Sequence, residues 1–504
     1  MITTFTLSLE NSLILCDDET VIDTVLTVCC FLGGLGLVRL FISGSHPLFI
    51  SACAIVMGLS LWVSCFIVVV LLLPIPPNEY IVLIFYALLA LACIIITFFK
   101  ERIDGKEALI YLMFLTLLIL VSRLAALSNI TFFSTDSVAM IKLSRSLLQS
   151  QFDGYPVFLQ AVQMIYPIVG LDYFPGLFPL VAVSLSVMMT CITSWEIRRT
   201  GVTGSLAFIL AILPAMLLFT TYHGIIQIFY YNHHLIAASL ILLFAASIWL
   251  TVSEYNKYAL YIGTISLAMF VFTRHEGLLF AIALFFIFVS NQNIPPERQR
   301  NAAFLFTIIT TPWCVYLTCQ LMRGSFVSDL QYLGMLIMSL TMMLVFQLNR
   351  FTGGIFILAH AKVLGLIVAT LSYLLFIGLR PEHMLTSSLT FFQNMFSFGG
   401  GNYWGVIWYF IIIAGLFALW AQGKRGDIGV MDSFLISVIV SYLLILALTG
   451  LRMPLINRWY DSANRMLIHF LPLLLVWIIS NFSFYCQSYL ETKDMSSKLS
   501  ADSL

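Results

Sequence analysis

Residues 271–286 read VFTRHEGLLFAIALFF and place an Arg-His-Glu triplet inside a long apolar stretch. The apolar runs on its two sides, 258–273 and 276–290, together cover about 33 residues, which is barely enough for a tight helical hairpin across a bilayer. Free backbone polar groups find no partner in lipid, so both runs must be helices. The stretch therefore predicts two membrane helices joined by a charged turn.

The charges in this turn need an explanation, because unpaired charges near hydrocarbon are costly. We expect Arg274 and Glu276 either to pair and lock the turn or to face a water-filled cavity. His275 could hydrogen-bond a phosphate or a sugar hydroxyl. Gly277 permits close packing directly after the triplet.

The whole chain resembles this stretch in its composition. Of its 504 residues, 61% are hydrophobic and only 10% are charged, and the mean hydropathy is +1.01. An ordinary soluble domain has only about 45–50% apolar residues. Runs long enough to span a membrane lie near 22–43, 48–73, 79–99, 107–127, 171–195, 203–222, 233–252, 258–273, 276–290, 301–321, 330–348, 355–378, 404–421, 432–450 and 465–485. The fold class is all-α, a polytopic membrane protein with about 13–15 transmembrane helices.

The composition does not support a nucleic-acid-binding protein or a disulfide-bonded framework. The formal net charge is zero, so a nucleic-acid partner has no electrostatic basis. The ten cysteines mostly sit inside apolar runs and are typical of small core residues rather than of a disulfide framework. We expect one transmembrane domain over 1–486 and a short cytoplasmic tail over 487–504.

Lys and Arg concentrate in cytoplasmic loops of membrane proteins. Five short basic loops fall on one side of the predicted bundle and are assigned to the cytoplasm: 100–106, 196–201, 295–300, 348–354 and 422–427. The opposite, external side then receives the turn at 274–276 and the segments 128–170, 222–233, 377–405 and 451–465.

Basic residues nevertheless occur on the external side, where the sorting rule disfavours them. They are Lys142, Arg145, Arg274, Arg380, Arg452, Arg458 and Arg465. Such a set indicates an anionic ligand, since the planar fork of Arg binds phosphate with two hydrogen bonds. The alternative is that single members extend to membrane lipid head groups.

The external segment after the fourth run contains a pattern typical of an interfacial helix, with apolar Val138 and Ile141 alternating with Lys142 and Arg145. Asp136 stands at its start, where an acid can cap the helix. The same carboxylate, at the membrane surface, could take a proton from an acceptor hydroxyl during sugar transfer. Asp153 follows as a second acid.

The last external segment leads into a helix that carries Arg465 and, about one turn later on the same face, His469. A helix start can hold a phosphate through its free amides as well as through an Arg side chain. His469 could equally be a buried core residue. The pair His233–His234 has no flanking acids, so a divalent metal has no clear ligand set.

Four stretches in this order resemble the C-type (GT-C) membrane glycosyltransferases, and more narrowly bacterial relatives of the dolichyl-phosphate-mannose protein mannosyltransferases. They are STDSVAMIKLSRSLLQ (134–149), DGYPVFLQAV (153–162), TRHEGLLFAIALF (273–285) and NRMLIHFLPLLLVW (464–477). The resemblance covers roughly residues 125–480. It implies a multi-helix fold, a polyprenyl-phosphate sugar as donor, and direct, inverting transfer to a glycan, lipid or protein acceptor.

The resemblance also implies roles for residues. Asp136 would be the catalytic carboxylate, and Asp153 and Tyr155 would line the acceptor side. The donor phosphate and its cavity would involve Arg274, His275, Glu276, Arg458 and Arg465, with Lys142, Arg145 and His469 as further candidates. No second acid stands beside Asp136, which leaves metal dependence open.

Two alternatives stay open. A polymerase or ligase of lipid-linked oligosaccharides, of the O-antigen type, would also need external Arg residues for a diphosphate. A flippase or transporter would bury ionisable groups near the midplane, whereas the groups here gather at one surface. Lys362, and Arg39 near a helix end, are the only candidates deep in the apolar runs. The expected location is a bacterial inner membrane with the active face outward.

Overall fold

The computed structural model of the chain describes residues 18–42, 46–69, 79–100, 102–128, 130–131, 137–138, 141–142, 157–164, 173–321, 329–396, 404–425, 429–449 and 462–501. These residues form nineteen α-helices and one short 3-10 helix, Leu348–Arg350. The α-helices are α1 (Asp18–Phe41), α2 (Pro47–Ile67), α3 (Glu79–Lys100), α4 (Gly105–Ser128), α5 (Val157–Gln163), α6 (Leu177–Thr200), α7 (Gly204–Phe219), α8 (Tyr222–Phe229), α9 (His234–Ser253), α10 (Ala259–Val271), α11 (Gly277–Val289), α12 (Pro296–Leu321), α13 (Asp329–Gln347), α14 (Thr352–Ala359), α15 (Ala361–Leu379), α16 (Pro381–Phe396), α17 (Ile407–Arg425), α18 (Val430–Thr449) and α19 (Ser462–Ala501).

Every apolar run marked in the sequence contains a helix, which confirms an all-α polytopic membrane protein. Within the described ranges, ten helices are long and apolar enough to cross a membrane. The number is eleven if α7 and α8, which meet at an angle of 76°, form one broken span. The shorter apolar helices include α10 and α11, because the charged triplet divides their run in two.

The bundle has an inner and an outer set of helices. In α2 and α9, 94% of the most apolar window is buried inside the protein, and in α19 the share is 89%. The outer helices α3, α4 and α15 bury 28%, 22% and 6% of theirs, and their exposed Leu and Ile side chains suit contact with lipid tails. Most side chains on the inner helices are therefore packed against protein.

Helices α1 and α2 pack with their backbones in direct contact at two glycines. A Cβ atom at Gly34 would lie 1.7 Å from the carbonyl oxygen of Ala54, and one at Gly58 would lie 1.9 Å from that of Cys30. Any side chain there would separate the helices. This is the close approach that small residues permit in membrane bundles.

One end of the bundle carries the loops that the sequence assigns to the cytoplasm, and we call it the basic end. Side chains from these loops meet there: Lys100 stacks on Tyr258 at 5.4 Å, and Arg300 donates a hydrogen bond to Asn349 at 2.8 Å. We call the other end the histidine end, defined by residues 222–234, 272–276 and 465–469.

Two segments that the sequence predicted as an external loop and a tail contain helices. The external segment 377–405 contains α16, which begins at Pro381 with Glu382 in its first turn, a combination that favours a helix start. The predicted tail 487–504 continues α19 as far as Ala501. In segment 128–170, residues 137–138 and 141–142 are helical and α5 follows, while the rest of the predicted interfacial helix lies outside the described residues.

Candidate functional site

The charged turn joins two short helices at the histidine end. Helices α10 and α11 have 13 residues each. At 1.5 Å per residue each is about 20 Å long, against a hydrocarbon core of about 30 Å. The turn is packed inside the protein, because Thr273, Arg274 and Glu276 are all buried. Its position at the external surface of the membrane stays a prediction.

The backbone around the turn is tightly packed. Phe158 at the start of α5 donates a backbone hydrogen bond to the carbonyl oxygen of Phe272, at 3.0 Å. A Cβ atom at Gly277 would lie 3.0 Å from the carbonyl oxygen of Val271, so only glycine fits without a shift. Helix α5 therefore covers the turn from the side.

Arg274 and Glu276 form an ion pair within the turn. Nη2 of Arg274 donates to Oε1 of Glu276 at 2.7 Å, and both residues are buried, at 8% and 7% exposure. The sequence left two alternatives for these charges, pairing or a water-filled cavity, and the structure shows the pair. Nε of Arg274 has no hydrogen-bond partner among the described residues, so the guanidinium retains a free donor.

Arg465 is buried in the first turn of α19. Its Nη1 donates to the hydroxyl of Tyr230 at 2.8 Å, and the guanidinium lies 5.8 Å from the centre of the same ring. Tyr230 follows α8 directly. The contact therefore joins the last helix of the chain to the segment between α8 and α9.

Three histidines, His233, His234 and His469, lie in the same region as the charged groups of Arg274, Glu276 and Arg465. Nδ1 of His234 lies 2.8 Å from Nε2 of His469, and the ring centres of His233 and His234 are 5.2 Å apart. One ring of the hydrogen-bonded pair donates and the other accepts. Both ring nitrogens of His233 and Nδ1 of His469 have no partner in the described part of the chain.

Both arginines act electrostatically on His233. Burial lowers the pKa of His233 well below its ordinary value, and the positive charges of Arg274, Arg465 and His275 act in the same direction. His233 is therefore neutral at neutral pH. The described residues around His233 include two guanidiniums and one carboxylate, that of Glu276. Their net charge is positive, which suits an anionic ligand.

A second group of polar side chains lies next to this cluster. His223 and Gln227 stand four residues apart on one face of α8, and both are fully buried. The His223 ring lies 4.4 Å from that of Trp404, which in turn contacts Trp408 at 5.7 Å. The charge of Arg465 acts on His223, so the two groups are neighbours.

None of the polar side-chain atoms of His223, Gln227 and Trp408 has a hydrogen-bond partner among the residues that the structure describes. A buried polar atom without a partner costs about 1–3 kcal/mol. Such atoms need partners that the described residues do not supply, and a bound ligand or an ordered water can supply them. We therefore treat the group as a candidate binding surface.

The described parts of segment 128–170 also reach this end. The Ser137 hydroxyl donates to the carbonyl oxygen of Tyr231 at 2.7 Å, and the Tyr231 hydroxyl donates to Oε1 of Gln163. On α2, Nε1 of Trp62 donates to the carbonyl oxygen of Ala161 at 2.6 Å. These bonds fix α5 and Ser137 beside Tyr230 and Tyr231.

Of the predicted site residues, the structure brings together Arg274, His275, Glu276, Arg465 and His469. Lys142 is exposed. Five further predicted residues lie outside the described residues: Asp136, Arg145, Asp153, Tyr155 and Arg458.

Sequence reasoning did not single out His223, Gln227, Tyr230, Trp404 or Trp408. A signal existed for the first two, because His and Gln four residues apart in the apolar stretch YHGIIQIF (222–229) mark one polar helix face. His233 and His234 were considered only as metal ligands. In the described part of the chain, no group of three or more His, Cys, Asp or Glu residues is arranged to hold a metal.

Comparisons with known proteins give one similar structure. It is an oligosaccharyltransferase from Archaeoglobus fulgidus in the apo form, with 13% sequence identity and a TM-score of 0.43 over 76% of this chain. The chain spans about half the length of that protein, 52%. No protein-family model and no curated protein matches the chain. We therefore infer the function from the geometry of the histidine end.

Proposed function

We propose that the protein is a membrane glycosyltransferase of the GT-C type, which moves a sugar from a polyprenyl-phosphate donor to an acceptor at the histidine end. The observation that carries the proposal is the buried cluster of Arg274, Arg465 and His233, with its excess of positive charge and the nitrogens of Arg274 and His233 that have no partner among the described residues. A lipid-linked phosphate would bring an anion to this cluster from the membrane.

The two arginines would receive the phosphate in different ways. Arg465 lies in the first turn of α19, where free backbone amides and the helix dipole favour an anion. Arg274 is held by Glu276 and offers its free Nε. Neutral His233 would add one more donor. Because these groups are fixed before the donor arrives, they would stabilise the leaving phosphate without reorganisation.

Asp136 would act as the base. Its carboxylate would take the proton of an acceptor hydroxyl, whose oxygen then attacks the anomeric carbon of the donor sugar. The bond between that carbon and the phosphate oxygen breaks, and polyprenyl phosphate leaves with its charge facing Arg465 and Arg274. The product has the inverted anomeric configuration. Ser137, the next residue in the chain, is bonded to Tyr231 at this end, which supports the role of Asp136.

The remaining predicted residues would complete the site. Asp153 and Tyr155 would line the acceptor side, and Arg458, with Lys142 and Arg145 as further candidates, would attract the anionic donor from the membrane surface. The acceptor would be a glycan, a lipid or a protein. The histidine end would face outward from a bacterial inner membrane, as the basic loops at the other end require.

The transporter alternative is less well supported. Arg39 is buried but donates to Glu107 at 2.9 Å and to Tyr111 at 2.8 Å. Lys362 interacts electrostatically with Asp432. Both candidates for a charge within the transport path therefore have structural partners in neighbouring helices.

Incubation of the purified protein with labelled polyprenyl-phosphate sugars tests the proposal. Transfer releases polyprenyl phosphate, which chromatography separates from the glycosylated donor. We expect release in the presence of an acceptor-containing membrane extract. Movement of intact donor across proteoliposomes without release would identify a transporter instead.

A further inference from the structure

We infer that His223, Gln227 and Trp408 form the pocket that recognises the sugar of the donor, and that this sugar is uncharged. The inference rests on the proposed function and adds residues that neither the sequence nor the resemblance indicated. It depends on three facts about the pocket: its unsatisfied hydrogen-bonding groups, its aromatic wall and its position beside Arg465.

The hydrogen-bonding groups of the pocket are complementary to hydroxyls. Gln227 offers an amide with two donors and an acceptor, and the neutral ring of His223 offers one of each. Nε1 of Trp408 adds a donor. All these atoms are buried and lack partners among the described residues. A sugar hydroxyl both donates and accepts, so neighbouring hydroxyls can satisfy the set.

The aromatic wall favours the same ligand. Trp404 and Trp408 are buried with ring centres 5.7 Å apart, and Trp404 lies against His223 at 4.4 Å. Apolar ring faces suit the C–H face of a sugar, while the polar atoms at the edge reach its hydroxyls.

The position of the pocket fits the donor. In a polyprenyl-phosphate sugar, the first ring is bonded directly to the phosphate. Arg465 bonds to Tyr230, which directly follows the helix that carries His223 and Gln227. Its charge also acts on both His223 and His233, so Arg465 is near the pocket and near the phosphate cluster. Gln227 and His223 carry no charge, and the Arg465 guanidinium bonds to Tyr230 and would face the phosphate. The pocket therefore offers no ion-pair partner to a sugar carboxylate or amine.

The experiment measures binding of two lipids to the purified full-length protein: polyprenyl phosphate, and the same lipid bearing glucose, galactose, mannose or arabinose. The variants are Gln227→Leu and His223→Leu. The control is Gln299→Leu, a buried glutamine at the basic end whose amide donates to backbone carbonyls at 3.1 Å and 3.2 Å. Melting temperature is recorded for each protein without ligand.

For the parent protein we expect at least one glycosylated lipid to bind about tenfold more tightly than polyprenyl phosphate. Gln227→Leu should remove this preference and leave polyprenyl phosphate binding unchanged. It should not lower the melting temperature, since it replaces an unpartnered polar group with an apolar one of similar size. Gln299→Leu should lower the melting temperature and keep the preference.

Three results would overturn the inference. Equal weakening of both lipids by Gln227→Leu and His223→Leu would show that the residues only support the fold. If the parent protein binds polyprenyl phosphate as tightly as every glycosylated lipid, the result excludes the sugar pocket and leaves the phosphate site standing. A parent protein that binds neither lipid would exclude the proposed function as well.

Discussion

The two ends of the bundle differ in how completely their buried polar side chains are paired. At the basic end Arg39 donates to Glu107 and Tyr111, and Glu196 accepts hydrogen bonds from Arg199 and Trp249. At the histidine end some groups are paired as well, but the side chains of His223, Gln227 and His233 have no partner among the described residues. Paired groups hold helices together. Unpaired buried groups cost stability and are expected where a ligand completes them.

The first prediction concerns catalysis at the histidine end. Asp136→Asn removes the proposed base while keeping the size of the side chain. Because a general base contributes about 100-fold to 10,000-fold, we expect sugar transfer to fall by that factor. Transfer is measured as release of polyprenyl phosphate.

The control for Asp136→Asn is its melting temperature in detergent, which should match that of the parent protein. Normal transfer by this variant would remove Asp136 from the mechanism.

The second prediction concerns a paired group at the basic end. Arg39→Leu leaves the Glu107 carboxylate without its partner, and removing one member of a buried pair costs about 3–5 kcal/mol. We therefore expect a large drop in thermal stability, measured by the melting temperature. The double variant Arg39→Leu, Glu107→Leu should recover much of it. A single variant as stable as the parent protein would contradict the structural role of this pair.

The third prediction concerns the phosphate. Arg465→Ala removes a charge-assisted hydrogen bond, which is worth about 1.5–3 kcal/mol. Affinity for polyprenyl phosphate should therefore fall about 10-fold to 150-fold, measured by binding of the labelled lipid. Arg300→Ala at the basic end is the matched control and should leave this affinity unchanged. Equal effects of the two substitutions would argue against a phosphate site at Arg465.

Much of the fold could be predicted from sequence, because hydrophobic runs are local. The limits of α9 and α11 were expected within one residue, and the pair Arg274–Glu276 joins residues two apart. The contacts that assemble the site are not local. His234 meets His469, and Arg465 meets Tyr230, across 235 residues in both cases. These contacts depend on the packing order of helices, which apolar periodicity does not encode.

The burial of the charged turn also depends on more than one helix. The run 258–273 predicted α10, but Arg274 and Glu276 are buried in a turn that α5 contacts, through the bond from Phe158 to Phe272. His223 and Gln227 were missed for a related reason. Their helix face becomes a site only because Trp404, far along the chain, lies against it.

The fourth and smallest effect concerns pH. Burial and nearby positive charges lower the pKa of His233 in the folded protein below its ordinary value of 6.5. The unfolded chain therefore binds more protons than the folded one as the pH falls below 6.5, and stability decreases in that window by at most about 1.4 kcal/mol per pH unit.

His233→Phe should accordingly show a weaker decrease of melting temperature between pH 6.5 and 5 than the parent protein. At pH 8, where the imidazole is neutral in both states, the substitution should have no pH-dependent effect. If the melting temperature of His233→Phe falls as steeply below pH 6.5 as that of the parent protein, His233 is not buried as a neutral ring.

The central claim is that the histidine end receives a lipid-linked phosphate. A structure of the protein with a non-transferable polyprenyl-phosphate sugar bound in lipid nanodiscs tests it most directly. The account predicts phosphate density within about 3 Å of the Arg465 guanidinium, with Arg274 and His233 beside it. Phosphate density at the basic end, or a histidine end that stays closed to the donor at saturating concentration, would contradict it.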